Sequence, residues 1–525
     1  MLSDSASLIL SSASTTNPPT INAQKTLATF NNIDLKNVMG EMWDKYDTFC
    51  MKVVRFFNSR QTLVVTTGEN TVISYNMRGL SWTNVIYETT NSSLNTQWVP
   101  IAGGRITTNV GVTNISNTGQ SYNFKKGERI VNLEIAININ GDTEIGDIAA
   151  GNTYSDFSLQ VIFEPVIPGK MNECAFFGFN SGPKFTNINR VISNDKRQYY
   201  YPSFDIRNLC KDFWDKHEDY EIQMVQFLIG TIGTISGNDR ITPIQLNGLN
   251  FVNNGTKQSN NTSGLNLSTE NAILGSIVTP ANTTFTSAVG QYDYTPAPIQ
   301  FLKTEDNVPL TITFKNSENT DFAAFGTIGA SNPRIQIGFF IKPIYQVEKA
   351  TLCINPFGLT TTETNLGVRD TNYFTFTIKN IDMRQVCRSM WLKYDKFNIF
   401  LTSYTVSVGG SDGNNNAVQL QMQGFDFINQ TSLLSTTDTF NQKQVATLGV
   451  IYNVYDASTP FSLSSGSCLV TSFYKTKDFV DLKLTATQLV SVGTYTPLKG
   501  IYTFTIVGVP KDEDESQQLT QNKIR

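Results

Sequence analysis

One histidine, His217, six cysteines and a scatter of carboxylates are all that this 525-residue chain offers for acid–base, nucleophilic or metal chemistry. A Ser–His–Asp or Cys–His device has to use His217. That residue closes the segment DIRNLCKDFWDKHE, where two similar segments carry Tyr46 and Tyr394. It therefore reads as a packed ring with a polar tip, not as a base. A histidine metal cluster is excluded by count. The cysteines, Cys50, Cys174, Cys210, Cys353, Cys387 and Cys468, form no Cys-x-x-Cys pair and have no spacing suited to zinc. They read as small buried thiols in a reducing compartment. Glycine-rich stretches such as GTIGTISGND and VGGSDGNNN lack the P-loop Lys-Ser/Thr and the EF-hand ligands, so they are loops. Carboxylate pairs have no fixed spacing, which leaves a glycoside hydrolase as the one enzyme class to weigh. Asp34, Asp205 and Asp382 recur, yet each stands where its oxygen caps a helix. No acidic pair stands out in one copy alone. The expectation is no catalytic residue, no metal, no cofactor and no enzyme.

The elements that carry these residues repeat. An amphipathic helix signature occurs three times, as DLKNVMGEMWDKYD (34–47), DIRNLCKDFWDKHE (205–218) and DMRQVCRSMWLKYD (382–395). Apolar residues at Leu35, Val38, Met39, Met42, Trp43 and Tyr46 fall on one helical face. Asp34, Asp205 and Asp382 are the expected N-caps. Trp43, Trp214 and Trp391 are the expected anchors, with Lys45, Lys216 and Lys393 reaching outward over apolar surface. Cys210 and Cys387 occupy matching places on that face. A β-rich run follows each helix, starting at Phe49, Tyr220 and Phe397.

A second block reads NMRGLSWTN, QLNGLNFVN and QMQGFDFIN, aligning Gly79, Gly248 and Gly424. A glycine inside an alternating strand pattern marks a bulge or a close backbone approach. A third block, FKKGERIVNLEI, FLKTEDNVPLTI and FYKTKDFVDLKL, aligns Phe124, Phe301 and Phe473 without a gap, and its alternation predicts a hairpin. Trp43 to Trp214 is 171 residues and Trp214 to Trp391 is 177, so all three blocks share one period. The chain is a triplication.

Hydrophobic residues are 40% and charged residues 16% of the chain, and the formal net charge is −4. Such a chain builds cores under a neutral Asn/Thr/Ser-rich surface and has no general pull toward nucleic acid. No apolar run reaches the ~20 residues of a membrane span, and the N-terminus lacks the basic region of a secretion signal. The expected division is a flexible tail at 1–27, repeats at 28–170, 171–347 and 348–510, the last two each opened by a loose linker, and a charged tail at 511–525. Each repeat suits an all-β fold, a jelly-roll β-sandwich with a short helix after its first strand.

Tandem jelly rolls with a neutral surface, few histidines and no catalytic motif resemble the capsid proteins of large double-stranded DNA viruses. The resemblance is architectural and covers roughly residues 28–510. Those major capsid proteins carry two jelly rolls, so three imply a minor or penton-type shell component. Its expected partners are major capsid protein and other capsid components, with a possible homo-oligomer. Its expected place is the virion, assembled in the host cytoplasm or nucleus and not secreted. The alternative is a glycan- or receptor-binding surface protein with lectin-like jelly rolls.

Overall fold

Strict alternation decides the layers: along Phe157–Pro165 every second residue is buried and its neighbours are half-buried. A strand with that pattern lies in a sheet with one face against a core. The structure is a computed structural model. It describes residues 5–12, 14, 18–22, 27–58, 71–88, 98–106, 112–116, 120–139, 157–169, 172–181, 189–192, 196–229, 240–259, 265–268, 271–279, 298–315, 335–344, 348–355, 364–366, 373–407, 416–428, 445–453, 470–488 and 499–510. The protein is all-β, and the described residues form six sheets with a few short helices.

In the first repeat one sheet runs Ala6–Ser11, Phe157–Pro165, Thr48–Asn58, Ser121–Lys125, Ser81–Thr83. The facing sheet runs Thr20–Ile21, Leu27–Asp34, Ile130–Ile139, Thr71–Arg78, Val99–Ile106, Val112–Ser116. Leu27–Asp34, Thr48–Asn58 and Thr71–Arg78 alternate between the two sheets, as do Ser121–Lys125, Ile130–Ile139 and Phe157–Pro165, while Thr71–Arg78 and Val99–Ile106 pair within one sheet. Between the layers lie Phe30, Trp43, Phe49, Met77, Phe124, Leu133 and Phe163. The third repeat repeats the pattern around Ile378, Trp391, Phe397, Phe473, Leu482 and Phe504.

The chain divides into two compact units, not three. Unit 1 holds 1–250 and 273–345, and unit 2 holds 251–272 and 346–525. Unit 1 fuses the first two repeats because their cores are continuous: Phe176, Val225 and Phe340 of the second repeat belong to the cluster of the first.

Four expectations change in detail. The segment expected as an N-terminal tail supplies the edge strand Ala6–Ser11, which pairs Ala6 with Phe163 through Ser11 with Ser158. The expected linkers likewise contain the strands Ala175–Ser181 and Lys349–Asn355, each paired with the last strand of its repeat. The third block is no hairpin. Ser121–Lys125 and Ile130–Ile139 belong to opposite sheets, and the residues between them cross the sandwich. Alternation fits either case, because it reports burial and not which sheet does the burying. The single helix is broken: Leu35–Met39 and Glu41–Lys45 flank Gly40 at φ 58°, and Met383–Cys387 and Ser389–Lys393 flank Arg388 at φ 45°. In the second repeat only Ile206–Leu209 is helical. The left-handed residue ends one turn and starts the next, while Leu35, Met39, Met42 and Trp43 stay buried. The charged tail 511–525 lies outside the described residues.

The three aligned glycines are close backbone approaches. Gly79, Gly248 and Gly424 have φ of 111–125°, and a Cβ built on them meets the carbonyl oxygen of Asn132, Pro309 or Asp481 at 2.2, 1.9 or 2.3 Å. Each therefore clamps the second block onto the third with no room for a side chain. Gly79→Ala is expected to lose at least about 1–3 kcal/mol from backbone strain alone, measured by chemical denaturation. Phe340→Ala is expected to cost about 3–5 kcal/mol and to lower the unfolding of both repeats of unit 1 together in calorimetry. Two separable transitions in unit 1 would contradict the shared core.

Candidate functional site

Two constellations recur, one holding the helix and one joining successive repeats. The first begins with the capping carboxylates. Asp34 accepts from the backbone N–H of Asn37 at 3.1 Å and Asp205 from that of Asn208 at 2.8 Å. Asp382 accepts from Arg384 and Gln385 at 3.0 and 3.4 Å. Behind each cap the anchor tryptophan stacks on an aromatic ring six residues later, and that ring stacks or tilts on the Phe that opens the third block. The triples are Trp43–Phe49–Phe124, Trp214–Tyr220–Phe301 and Trp391–Phe397–Phe473, with centroid separations of 4.8–5.7 Å. A lysine two residues after each Phe covers the tryptophan face: Lys126, Lys303 and Lys475 at 5.4, 5.8 and 5.9 Å. That distance is within cation–π range.

The middle rings were legible only as the start of a strand. Asp306 and Asp478 were missed altogether. In the second repeat the Trp214 indole N–H donates to Asp306 at 3.1 Å, and Arg207 pairs with the same carboxylate at 3.0 Å. In the third, Trp391 donates to Asp478 at 2.9 Å, and Arg384 pairs with it. The first repeat has Arg129 in that column, and it reaches back to the cap, Asp34, at 2.6 Å. The available signal was an aspartate shared by two copies, hidden by an arginine in the third. The hydrogen bond and charge of Arg129 hold the Asp34 carboxyl down at about 2. Arg384 and then the Trp391 indole do the same for Asp478, also about 2. Arg207 lowers Asp306.

The second constellation is a strand exchange. After the second block of the first repeat, Val85–Glu88 leaves its own sandwich and lies parallel to Ala175–Ser181, extending the sheet of the second repeat. Within unit 2, Asn254–Ser259, which follows the second block of the second repeat, lies parallel to Lys349–Asn355 in the sheet of the third. The register is the same: Val85 faces Phe176, and Asn254 faces Thr351. Each donated strand is launched by an asparagine in the left-handed region, Asn84 at φ 56° and Asn253 at φ 48°. The Phe176 N–H donates to the Asn84 carbonyl at 2.9 Å, and the Thr351 N–H to that of Asn253 at 2.8 Å.

Around the exchange in unit 1 aromatic rings meet. Phe176 sits edge-on to Tyr122 and Phe340 at 5.1 and 5.7 Å. The Tyr122 hydroxyl donates to the Pro100 carbonyl, and burial pushes its pKa well up. Glu173, only 4% exposed, accepts from the Gly169 N–H at 3.1 Å and lies 3.2 Å from the His217 imidazole, with Lys216 at 3.9 Å. In unit 2 the matching Glu348 pairs with Lys393 at 2.7 Å. Half-buried His217 thus holds a structural carboxylate, and this is the chemistry its surroundings give it.

Cys50, Cys174, Cys210, Cys353 and Cys387 are buried free thiols, and Cys468 lies outside the described residues. A hydrogen bond with Cys174 and complete burial push the Cys50 thiol well up; burial pushes Cys353 to about 12 and also raises Cys210 and Cys387. These four raised, buried thiols are poor nucleophiles, whereas the hydrogen bond with Cys50 lowers the Cys174 thiol. Among the described residues no group of three or more His, Cys, Asp or Glu is placed to hold a metal. No helix among them is long and apolar enough to cross a membrane.

No protein-family model matches the chain, and no curated protein matches it in sequence. Among solved structures, a truncated AlyQ with CBM32 and alginate lyase domains aligns at 9% identity and a TM-score of 0.11, over 65% of this chain and 99% of that one. Similarity at that level carries no argument about fold or function.

The depressed carboxylates give stability a pH dependence of known sign. Asp34 and Asp478 are held below their ordinary 3.8, so their contribution is complete above that value and lost as the pH falls toward about 2. Thermal unfolding followed from pH 5 to pH 2 is expected to show a falling midpoint. Asp34→Asn combined with Asp478→Asn is expected to flatten that slope, and an unchanged slope would remove these pairs from the acid response.

Proposed function

We propose that this chain is a structural shell component, a minor capsid protein of a large DNA virus whose jelly-roll repeats contact neighbouring capsomers. The observation that carries the reading is the strand exchange between successive repeats. Loose linkers would let the repeats move as separate binding modules. Within unit 1 the strand Val85–Glu88 of the first repeat is hydrogen-bonded into the sheet of the second, which suits a structural scaffold. The neutral surface and net charge of −4 suit broad polar contacts with other proteins. The recurrent side chains, tryptophans, capping aspartates and their arginines, are all engaged in holding the sandwiches together.

The test is particle proteomics. Intact virions purified from the cells in which the chain is made are expected to contain it, and it is expected to leave the particle together with major capsid protein on controlled disassembly. Absence from intact particles overturns the reading. Binding of the purified chain on a glycan array at about micromolar strength, without any capsid association, would replace it with a carbohydrate-binding role.

A further inference from the structure

Two thiols meet at the joint between the first two repeats, inside unit 1. Cys50 sits in Thr48–Asn58, directly opposite Asn123 of Ser121–Lys125. The Asn123 side chain, 2% exposed, holds Cys174 twice. Its Oδ1 accepts from the Cys174 thiol at 3.2 Å, and its Nδ2 donates to the Cys174 carbonyl at 3.4 Å. Cys50 and Cys174, both buried, form one cluster with Val166, and the Cys50 thiol is hydrogen-bonded to the Cys174 sulfur. Two sulfurs in such contact need little backbone movement to close a disulfide.

The fold does not ask for thiols here. At the place of Cys50 the second and third repeats carry Glu221 and Asn398, and at the place of Asn123 they carry Gln300 and Ser472. Glu221 lies opposite Gln300, and Ser472 donates to Asn398 at 2.6 Å, so polar residues fill the same places. The two thiols also differ in character. The hydrogen bond with Cys50, then the charges of Lys342 and Lys52, lower the Cys174 pKa, while the same hydrogen bond raises that of Cys50. A cysteine favoured as thiolate beside one kept protonated suits an attacking and a resolving thiol.

We infer that Cys50 and Cys174 are a redox pair that closes a disulfide across the joint of the first two repeats. The oxidant is a small disulfide such as oxidised glutathione. The Cys174 thiolate attacks one sulfur of the oxidant and releases a first thiol. The Cys50 thiolate then attacks the Cys174 sulfur and releases the second. The S–S bond of the oxidant breaks and that of the protein forms, and two electrons and two protons pass from the cysteines to the released thiols. The bond ties Thr48–Asn58 to the residue just before Ala175–Ser181, the strand that receives Val85–Glu88. Phe176, two residues on, donates its N–H to Asn84. The exchanged strand is thereby held against its acceptor by a covalent bond.

The full chain, reduced and then equilibrated in glutathione buffers of rising oxidised fraction, tests it. Urea below the unfolding midpoint keeps the buried sulfurs reachable. After alkylation and digestion, mass spectrometry is expected to find a Cys50–Cys174 peptide and two fewer alkylated cysteines than the six of the reduced chain. Full alkylation at every ratio overturns the inference, and so does Cys174 bonded to Cys210, whose charge also reaches it. Calorimetry reads the consequence. Oxidation is expected to raise the unfolding midpoint of unit 1 by about 5 °C or more. Cys50→Ala is expected to lose that rise, and Cys353→Ala, in unit 2, to keep it. An oxidised parent that unfolds like the reduced one, or a Cys50→Ala chain that gains equally, overturns it as well. None of these outcomes depends on what the chain assembles with, so this inference and the capsid reading fail separately.

Discussion

A β-sheet ends in a row of backbone N–H and C=O groups that need partners, and this protein is organised around supplying them. Each net hydrogen bond in such a ladder contributes only about 0.5–1.5 kcal/mol, while leaving a buried group unmade costs more. The first repeat gives Val85–Glu88 to the second, and Asn254–Ser259 completes the sheet of the third. Once that strand is in place, the residues beside it become core. Phe176 then joins Tyr122 and Phe340, and the two repeats share one compact unit. Exchange and packing are consequences of the same edge.

The helix constellation lies beside that arrangement, since the short helices Leu35–Met39, Ile206–Leu209 and Met383–Cys387 approach Ala6–Ser11, Ala175–Ser181 and Lys349–Asn355. It closes the path between the first long strand and the next, and it is held by three kinds of force at once. The rings stack in threes, a lysine covers the tryptophan, and an Arg–Asp pair sits at its edge. The ion pairs are exposed, so they contribute modestly and chiefly set geometry. Burial of the rings supplies most of the stabilisation. That division explains how the first repeat tolerates Arg129 where the others have aspartate. The charge partner changes from the helix arginine to the capping Asp34, and the stacked rings remain.

The cysteines and the histidine follow the same logic. Five thiols are buried, Cys174 donating to Asn123 and Cys353 accepting from Thr503, and His217 is bound to a carboxylate that also caps a turn. Among the described residues these side chains serve packing and local hydrogen bonding.

By itself the sequence determined the three recurring blocks, the all-β class, the anchors Trp43, Trp214 and Trp391 with Phe124, Phe301 and Phe473, and the capping aspartates, and it narrowed the aligned glycines to a bulge or a close backbone approach. All of these are written in side-chain type and short spacing, because a cap, a stacked ring or a position without a Cβ tolerates few residues. The tertiary structure alone decided that the third block crosses between sheets, that Asp306 and Asp478 meet the tryptophans, that Ala6–Ser11 is a strand, and that repeats exchange strands. The donors VIYE and NGTKQS share no residue pattern. Strand pairing is made by backbone groups that every residue except proline carries, so it leaves almost no mark on the sequence, and only the folded chain shows which edge meets which strand.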